Sequence, residues 1–319
     1  MSHSPYLQYE HAQQQVEDVV KRLFPAPDTR VERVWSGIST YVYRIFSQGR
    51  TYYLRILPDP TGDFTPEIAT LTQLHRYDIK VPEVIYFENH NETLDRALMI
   101  EAEIKGRALS RTSFPREVLE RVVVEAGRDL ARINALRVDG FGWIRPQQVG
   151  ATRLRGTWPT FRAFALEHRK ADLFYLSRHL LTPRESALLE RVLSRYDSWL
   201  DIDQGHLAHG DFDSTHIFQD RGRYTGIIDF GEVRGGNLWY DLAHFRIRDG
   251  ARPPYPLFPA LERGYQELVP FPPTYEPQLR FTSVLINIRA LSRAFQTRPP
   301  DNYIWRQLDM LREDLAALA

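Results

Sequence analysis

The stretch 206–245 reads HLAHGDFDSTHIFQDRGRYTGIIDFGEVRGGNLWYDLAHF, and it holds the densest chemistry of the chain. His209-Gly210-Asp211 comes first. His216 follows five residues after Asp211, and Asp229 stands in the run Gly226-Ile227-Ile228-Asp229-Phe230-Gly231-Glu232. Residues 217–218 and 224–228 read as two short strands of a hairpin turned at Asp220-Arg221-Gly222. Asp211 then lies on a loop before the first strand, His216 where that strand begins and Asp229 where the second ends. The open ends of a hairpin are neighbours in space, so the three side chains could converge. Carboxylate oxygen is the preferred ligand of Mg²⁺, whose protein sites supply one or two carboxylates and leave phosphates and water to fill the rest. A separate carboxylate within reach of a hydroxyl can take its proton. A zinc site built from His206, His209 and His216 fails on economy: it lacks a fourth ligand and leaves Asp211 and Asp229 unexplained.

Working outward, the first hundred residues alternate a helix, three strands, a helix and two strands. Residues 11–23 have helical spacing, with Val16, Val19, Val20 and Leu23 on one side, and Pro25 and Pro27 end the run. Strands are expected at 31–35, 40–46 and 51–57, divided by Ser36-Gly37 and Gln48-Gly49. A helix over 66–75 carries Pro66 in its first turn, and strands at 84–88 and 97–102 follow. After Lys105-Gly106 helices dominate, at 116–133, 160–170, 185–200, 257–269, 278–295 and 303–318, with a short strand-and-loop segment between 200 and 250. The pattern predicts an α+β architecture: a small β-rich N-terminal lobe, residues 1–104, and a larger mainly helical C-terminal lobe, residues 105–319. A cleft between such lobes is the default ligand site.

Composition bounds the rest. The chain has 319 residues, enough for about two domains. Lys+Arg and Asp+Glu are both 41, which removes the usual electrostatic case for nucleic-acid binding. No apolar run of about 18 residues predicts a membrane span, and the polar N-terminal stretch does not read as a secretory signal, so the cytoplasm is the default expectation. With no cysteine, disulfides, thiolate metal sites and cysteine nucleophiles are excluded. Only Lys21, Lys80, Lys105 and Lys170 among the basic residues are lysine, a bias that reads first as codon usage.

The ordered series in 206–245 resembles the signature of the aminoglycoside phosphotransferase/choline kinase superfamily, whose fold is similar to that of protein kinases. That signature is H-G-D-x-x-x-x-N, then I-D-[FW]-x-[DE], then a D-L-A run. Here it reads His209-Gly210-Asp211 to His216, Ile228-Asp229-Phe230-Gly231-Glu232 and Asp241-Leu242-Ala243. The resemblance implies transfer of the γ-phosphate of ATP or GTP, with Mg²⁺, to a hydroxyl of a small molecule. Asp211 would orient the hydroxyl and accept its proton, while His216 and Asp229 would hold the metal. His216 stands where the family usually has Asn. Either the imidazole ligates the ion, as the His at the matching place in the superfamily's macrolide kinases implies, or the site is crippled. Of the neighbours, His209 is expected to hold the loop by hydrogen bonds, Asp213 to cap a turn, Asp241 to support the loop and His244 to be a core residue. Glu232 reads equally as a group behind the metal or a solvated carboxylate.

The same resemblance assigns nucleotide contacts to the N-terminal lobe. Ser36, Ser39 and Thr40 lie in a loop that reads either as a plain hairpin or as a cover over phosphates. The family's strand lysine falls on Arg55, with Glu67 as its ion-pair partner; taken alone, the two read as ordinary surface charges. Residues 98–103 resemble the hinge, with backbone groups near Glu101 and Glu103 on the base and both side chains in solvent. Trp158, Trp199, Trp239 and Trp305 are expected in the core or the cleft wall. For the acceptor, residues 151–200 hold nine basic against five acidic residues and 250–319 eight against seven. No acidic cluster marks a polycation site, though Asp172, Glu262 or Glu267 could make a local one. A macrolide, a hygromycin-like compound or another less cationic alcohol fits better than a highly charged aminoglycoside. A kinase-like module that binds nucleotide or metabolite without turnover is the alternative, motivated by His216 and Arg55. A protein kinase is disfavoured, because nothing resembles an activation segment ending in A-P-E.

Overall fold

The computed structural model describes residues 13–35, 40–249 and 255–319, which divide into two compact units. The first comprises residues 1–105 and 146–152, the second 106–145 and 153–319. The first holds α1 (Gln13–Leu23), β1 (Arg30–Val34), β2 (Tyr41–Ser47), β3 (Arg50–Ile56), α2 (Thr65–Arg76), β4 (Val84–Asn91) and β5 (Arg96–Ala102). Its strands form one antiparallel sheet in the order β1-β2-β3-β5-β4. Alternation along β2 turns Tyr41, Tyr43 and Ile45 inward, where they meet Val16, Val19 and Val20 of α1 and Leu54, Leu98 and Ile100. On the other face, Phe64 and Ile68 from the start of α2 pack with Ala97 and Met99. Residues 146–152 join this unit through Gln73, whose Nε2 donates to Ala151 O at 3.1 Å.

The second unit holds β6 (Arg107–Ala108), α3 (Arg116–Ala135), β7 (Arg137–Asp139), β8 (Phe141–Ile144), β9 (Leu154–Trp158), α4 (Phe161–Leu166), α5 (Arg169–His179), α6 (Pro183–Arg195) and β10 (Gly205–Ala208). Then come β11 (Ile217–Asp220), β12 (Arg223–Ile227), β13 (Arg234–Gly236), α7 (Tyr240–Arg248), α8 (Phe258–Gln266), α9 (Tyr275–Thr297) and α10 (Asn302–Leu318). Helices α4, α5, α6, α9 and α10 share one apolar core that includes Leu176, Leu189, Val284, Leu291, Ile304 and Leu311. No helix among the described residues is long and apolar enough to cross a membrane.

Two expectations are corrected, and one stretch that carried no expectation gains strands. The helix expected over 160–170 is two helices, broken at Glu167-His168, and the break lets α5 bury Asp172 and Leu176. Residues 135–158, which gave no pattern, contribute β7, β8 and β9 to a small closed barrel in the order β10-β13-β8-β9-β7. Its strands approach so closely that a Cβ on Gly156 or Gly235 would strike the backbone of Phe141 or Gly140, and sequences rich in glycine read as loops. Residues 240–248, expected in a strand-and-loop segment, form α7.

Candidate active site

β10 delivers the chain into the loop His209-Gly210-Asp211. Gly210 has φ +89°, and a Cβ there would collide with Glu232 O, so the turn requires glycine. Asp241, in the first turn of α7 and fully buried, holds this loop from behind. Its Oδ2 accepts from His209 N at 2.8 Å and from Asn134 Nδ2 at 2.8 Å, and its Oδ1 accepts from Gly210 N at 2.9 Å. His209 is also fully buried. Its Nε2 donates to Ile228 O at 2.9 Å, and its Nδ1 accepts from Asp211 N at 3.3 Å. Both ring nitrogens are thus used in the neutral form. Burial first, and then the neighbouring His216, hold its pKa below the ordinary value. His209 and Asp241 are scaffold, and neither has a nitrogen or oxygen left over for acid–base work.

Beyond Asp211, Asp213 makes a tight turn: its Oδ1 accepts from Thr215 N at 2.6 Å and from Thr215 Oγ1. The turn aims His216 back at the loop. His216 Nδ1 lies 2.7 Å from Asp211 O, and a carbonyl only accepts, so Nδ1 carries the proton. In the neutral ring Nε2 is then a bare lone pair, and it lies 3.5 Å from Asp229 Oδ2. His216 Nε2 and Asp229 Oδ2 are thus two groups able to ligate a cation, set side by side. Asp229 follows β12 with φ +69°, a left-handed conformation that Asp tolerates better than most residues. Hairpin β11–β12, turned at Arg221-Gly222 with both φ positive, ties His216 to Asp229 as the sequence pattern predicts, and Ile228 N donates to His216 O at 3.0 Å. One imidazole nitrogen and one carboxylate fit a divalent cation that takes its remaining ligands from phosphate and water.

The surroundings of Asp211 contain two side chains that the sequence reading did not place there. His244 Nε2 lies 3.4 Å, and Arg248 Nη2 3.2 Å, from Asp211 Oδ1. Arg248 also reaches Asp213, its Nη1 3.2 Å from Oδ2, and it packs over the Tyr303 ring at 5.5 Å. His244 is buried, with Nδ1 3.1 Å from Phe212 O. Burial, and then the charge of Arg248, push its pKa down to about 4. The spacing 240–244–248 was the available signal, since residues four apart share a helix face. Glu232 is half exposed and pairs with Arg234 at 2.8 Å.

In the first unit, Arg55 of β3 and Glu67 of α2 form a buried ion pair, and Glu101 Oε1 of β5 lies 3.6 Å from Arg55 Nη1. They are not surface charges. Nor is the Glu101 side chain in solvent: β5 is an inner strand, paired on both sides by β3 and β4, and the guanidinium lies beside the buried carboxylate. Glu103 is partly exposed, and its N–H donates to Thr51 O at 3.3 Å. Thr40 is buried just before β2, whereas Ser36 and Ser39 lie outside the described residues. Asp172, Glu262 and Glu267 do not gather into an acidic pocket. Asp172 pairs with Arg289 at 3.1 Å, Glu267 with Arg128 through two contacts, and Glu262 accepts from Tyr275 Oη at 2.8 Å. Of the tryptophans, Trp158 and Trp199 pack on the helical core and Trp239 is buried, but Trp305 is 46% exposed on α10 and corrects the expectation of burial.

A family model described as "Phosphotransferase enzyme family" matches residues 30–279. The chain belongs to this phosphotransferase family. Among curated proteins it is similar to hygromycin-B 4-O-kinase of Escherichia coli, 26% identical over 199 residues, which is 61% of this chain. The matched stretch spans 55% of that relative's own length. Among solved structures it is similar to aminoglycoside phosphotransferase APH(4)-Ia, with TM-score 0.69 and 19% identity, covering 97% of this chain and 100% of the other. It is similar also to APH(2″)-IIia, solved with GDP and kanamycin, with TM-score 0.66 and 15% identity over 96% of this chain and 99% of that one. Like these phosphotransferases, the chain has the protein-kinase-like α+β fold.

Proposed function

We propose that the protein transfers the γ-phosphate of ATP or GTP to a hydroxyl of a small molecule, with a hygromycin-like or macrolide antibiotic as the acceptor class. The observation that carries this is the juxtaposition of His216 Nε2 and Asp229 Oδ2, 3.5 Å apart, with His216 tied through Nδ1 to the Asp211 carbonyl. Family membership and the similarity to a hygromycin-B 4-O-kinase support the same reading. Residues 1–104 would act as the nucleotide lobe, through Arg55, Glu67, Thr40, Ser36, Ser39 and the segment around Glu101 and Glu103. Residues 105–319 would supply catalysis and the acceptor site.

Asp211 orients the acceptor hydroxyl and takes its proton as the oxygen attacks. The new oxygen–phosphorus bond forms while the bond to the β-phosphate oxygen breaks, and the nucleoside diphosphate leaves. His216 and Asp229 would hold Mg²⁺, which when bound would neutralise phosphate charge. Arg55 would neutralise phosphate oxygens from the first unit. The absence of an acidic cluster in 151–200, together with the engagement of Asp172, Glu262 and Glu267, favours a less cationic acceptor.

The test is nucleoside diphosphate release from ATP and GTP with Mg²⁺ across hygromycin B, kanamycin, macrolides, choline-like alcohols and sugars. Acceptor-dependent release, reduced about 10²- to 10⁴-fold in Asp211→Asn, is the expected result. Wild-type and Asp211→Asn proteins that consume nucleotide alike would remove Asp211 from the mechanism. Nucleotide binding with no release for any acceptor would favour the non-catalytic module.

A further inference from the structure

The two oxygens of Asp211 are in different situations. Both of its charged or ionisable neighbours make their nearest approach to Oδ1, Arg248 Nη2 at 3.2 Å and His244 Nε2 at 3.4 Å. His244 cannot be the group that holds this oxygen. Its Nδ1 faces the Phe212 carbonyl and must carry the ring's one proton when neutral, so a lone pair on Nε2 is what faces Asp211. The positive charge on Oδ1 is therefore Arg248's. Arg248 is itself fixed on two further sides, by Asp213 Oδ2 at 3.2 Å from Nη1 and by the face of Tyr303 at 5.5 Å. It sits at the last turn of α7, whose first turn carries Asp241. One nine-residue helix thus holds the loop at its backbone, through Asp241 and His244, and at its carboxylate, through Arg248.

We propose that Arg248 is the positioning residue of the phosphotransfer site: it anchors Asp211 by Oδ1, so that Oδ2 alone is presented to the acceptor hydroxyl. The inference rests on the phosphotransferase reading and assigns a residue outside the family's sequence signature. A carboxylate free to rotate about its Cβ–Cγ bond offers either oxygen in a range of directions, whereas one anchored at Oδ1 offers a single oxygen in a single direction. Misplacement of a reacting group by about 1 Å costs on the order of 10²-fold in rate. Asp213 has a matching part, because its Oδ2 holds Arg248 while its Oδ1 shapes the turn that carries His216.

Two variants test it, Arg248→Met, which keeps the stem and removes the fork, and Arg248→Lys, which keeps the charge. With whichever acceptor the wild type turns over, Arg248→Met is expected to lose about 10- to 100-fold in kcat. KM for the nucleotide should stay within about twofold, because Arg248 leaves the phosphate contacts alone. Arg248→Lys should recover part of kcat. A second measurement needs no acceptor. In thermal unfolding of wild type, Arg248→Met, Asp211→Asn and the double variant, the midpoint shifts should be non-additive by about 2 °C or more. Additive shifts would overturn the contact. An Arg248→Met enzyme as fast as wild type, or faster, would overturn the positioning role and make Arg248 a restraint instead. A rate loss that Lys does not relieve at all, with nucleotide KM raised in step, would also overturn it. Failure of the underlying phosphotransferase reading would appear differently, as a wild-type protein that turns over no acceptor on the panel, and the inference would fall with it.

Discussion

Replacing Asp241 by Asn tests how the catalytic loop is held. The carboxylate is fully buried and accepts three hydrogen bonds, two on Oδ2 from His209 N and Asn134 Nδ2 and one on Oδ1 from Gly210 N. Asn has the same shape but only one acceptor oxygen. With that oxygen in the Oδ2 position, the amide NH₂ is set against the Gly210 N–H, donor against donor. Leaving one buried donor unsatisfied costs about 1–3 kcal/mol, and two bonds that ran to a charged group become neutral ones, at about 1 kcal/mol each. Relief of the buried charge offsets part of this, so a loss of about 3 kcal/mol is expected. Urea unfolding followed by tryptophan fluorescence reads it, since five of the six tryptophans belong to the second unit. With m of about 3 kcal/mol/M the midpoint falls by about 1 M. Turnover should fall with it, because the Gly210 amide is no longer held and the His209 amide is held more weakly, so Asp211 is less firmly placed. A midpoint within about 0.2 M of wild type would refute the three-bond account and leave Asp241 an ordinary buried residue.

Arg55→Met removes the guanidinium between two buried carboxylates, Glu67 and Glu101, and should cost about 3 kcal/mol, read by hydrogen exchange of the β3 amides; a loss under about 1 kcal/mol would return the group to ordinary surface charges. Gly210→Ala places a Cβ against Glu232 O at a φ of +89°, so acceptor-dependent turnover should drop by at least about 10²-fold, and a fully active variant would show that the loop tolerates the side chain. His244 carries part of the pH dependence, alongside the buried His209, whose pKa is also lowered: the folded pKa of His244 is depressed to about 4, so the unfolded chain binds the extra proton first, and its contribution to stability is lost as pH falls below about 6.5. Between pH 7.5 and 5.5 this amounts to about 1 kcal/mol, and His244→Gln should shrink the measured drop by that amount; an unchanged drop would mean His244 does not titrate as stated.

The sheet of the first unit was legible because its strands are rich in Val, Ile, Tyr and Thr and are divided by turn residues such as Gln48-Gly49, and in β2 the residues Tyr41, Tyr43 and Ile45 also alternate inward. The barrel of the second unit was not, because its strands are three to five residues long and close on glycines, leaving no side-chain rhythm to read. Asp211, His216 and Asp229 were legible because a hairpin brings together what is close in sequence. The burial of Glu101 was not, since its guanidinium partner is 46 residues away in the chain and meets it only through β-pairing.

Segment 240–248 shows the limit most clearly, because it was read as loop and its i, i+4 spacing therefore carried no weight. As a helix it puts Tyr240, His244 and Arg248 in line, and that line ends at Asp211. The sequence motif names Asp211 as the proposed proton acceptor, His216 and Asp229 as the proposed metal pair and Asp241 as the loop support, all residues whose chemistry is visible in their identity. Arg248 differs in kind: an arginine has no signature until the structure shows which oxygen it takes and which it leaves. The His216 substitution gains meaning by the same route. Its Nδ1 is committed to the Asp211 carbonyl, so the only atom it can offer Asp229's neighbour is Nε2, a neutral nitrogen ligand. In the proposed metal site that atom would serve a cation as the Asn amide oxygen would, but with a softer donor, which would shift preference toward ions that accept imidazole alongside carboxylate.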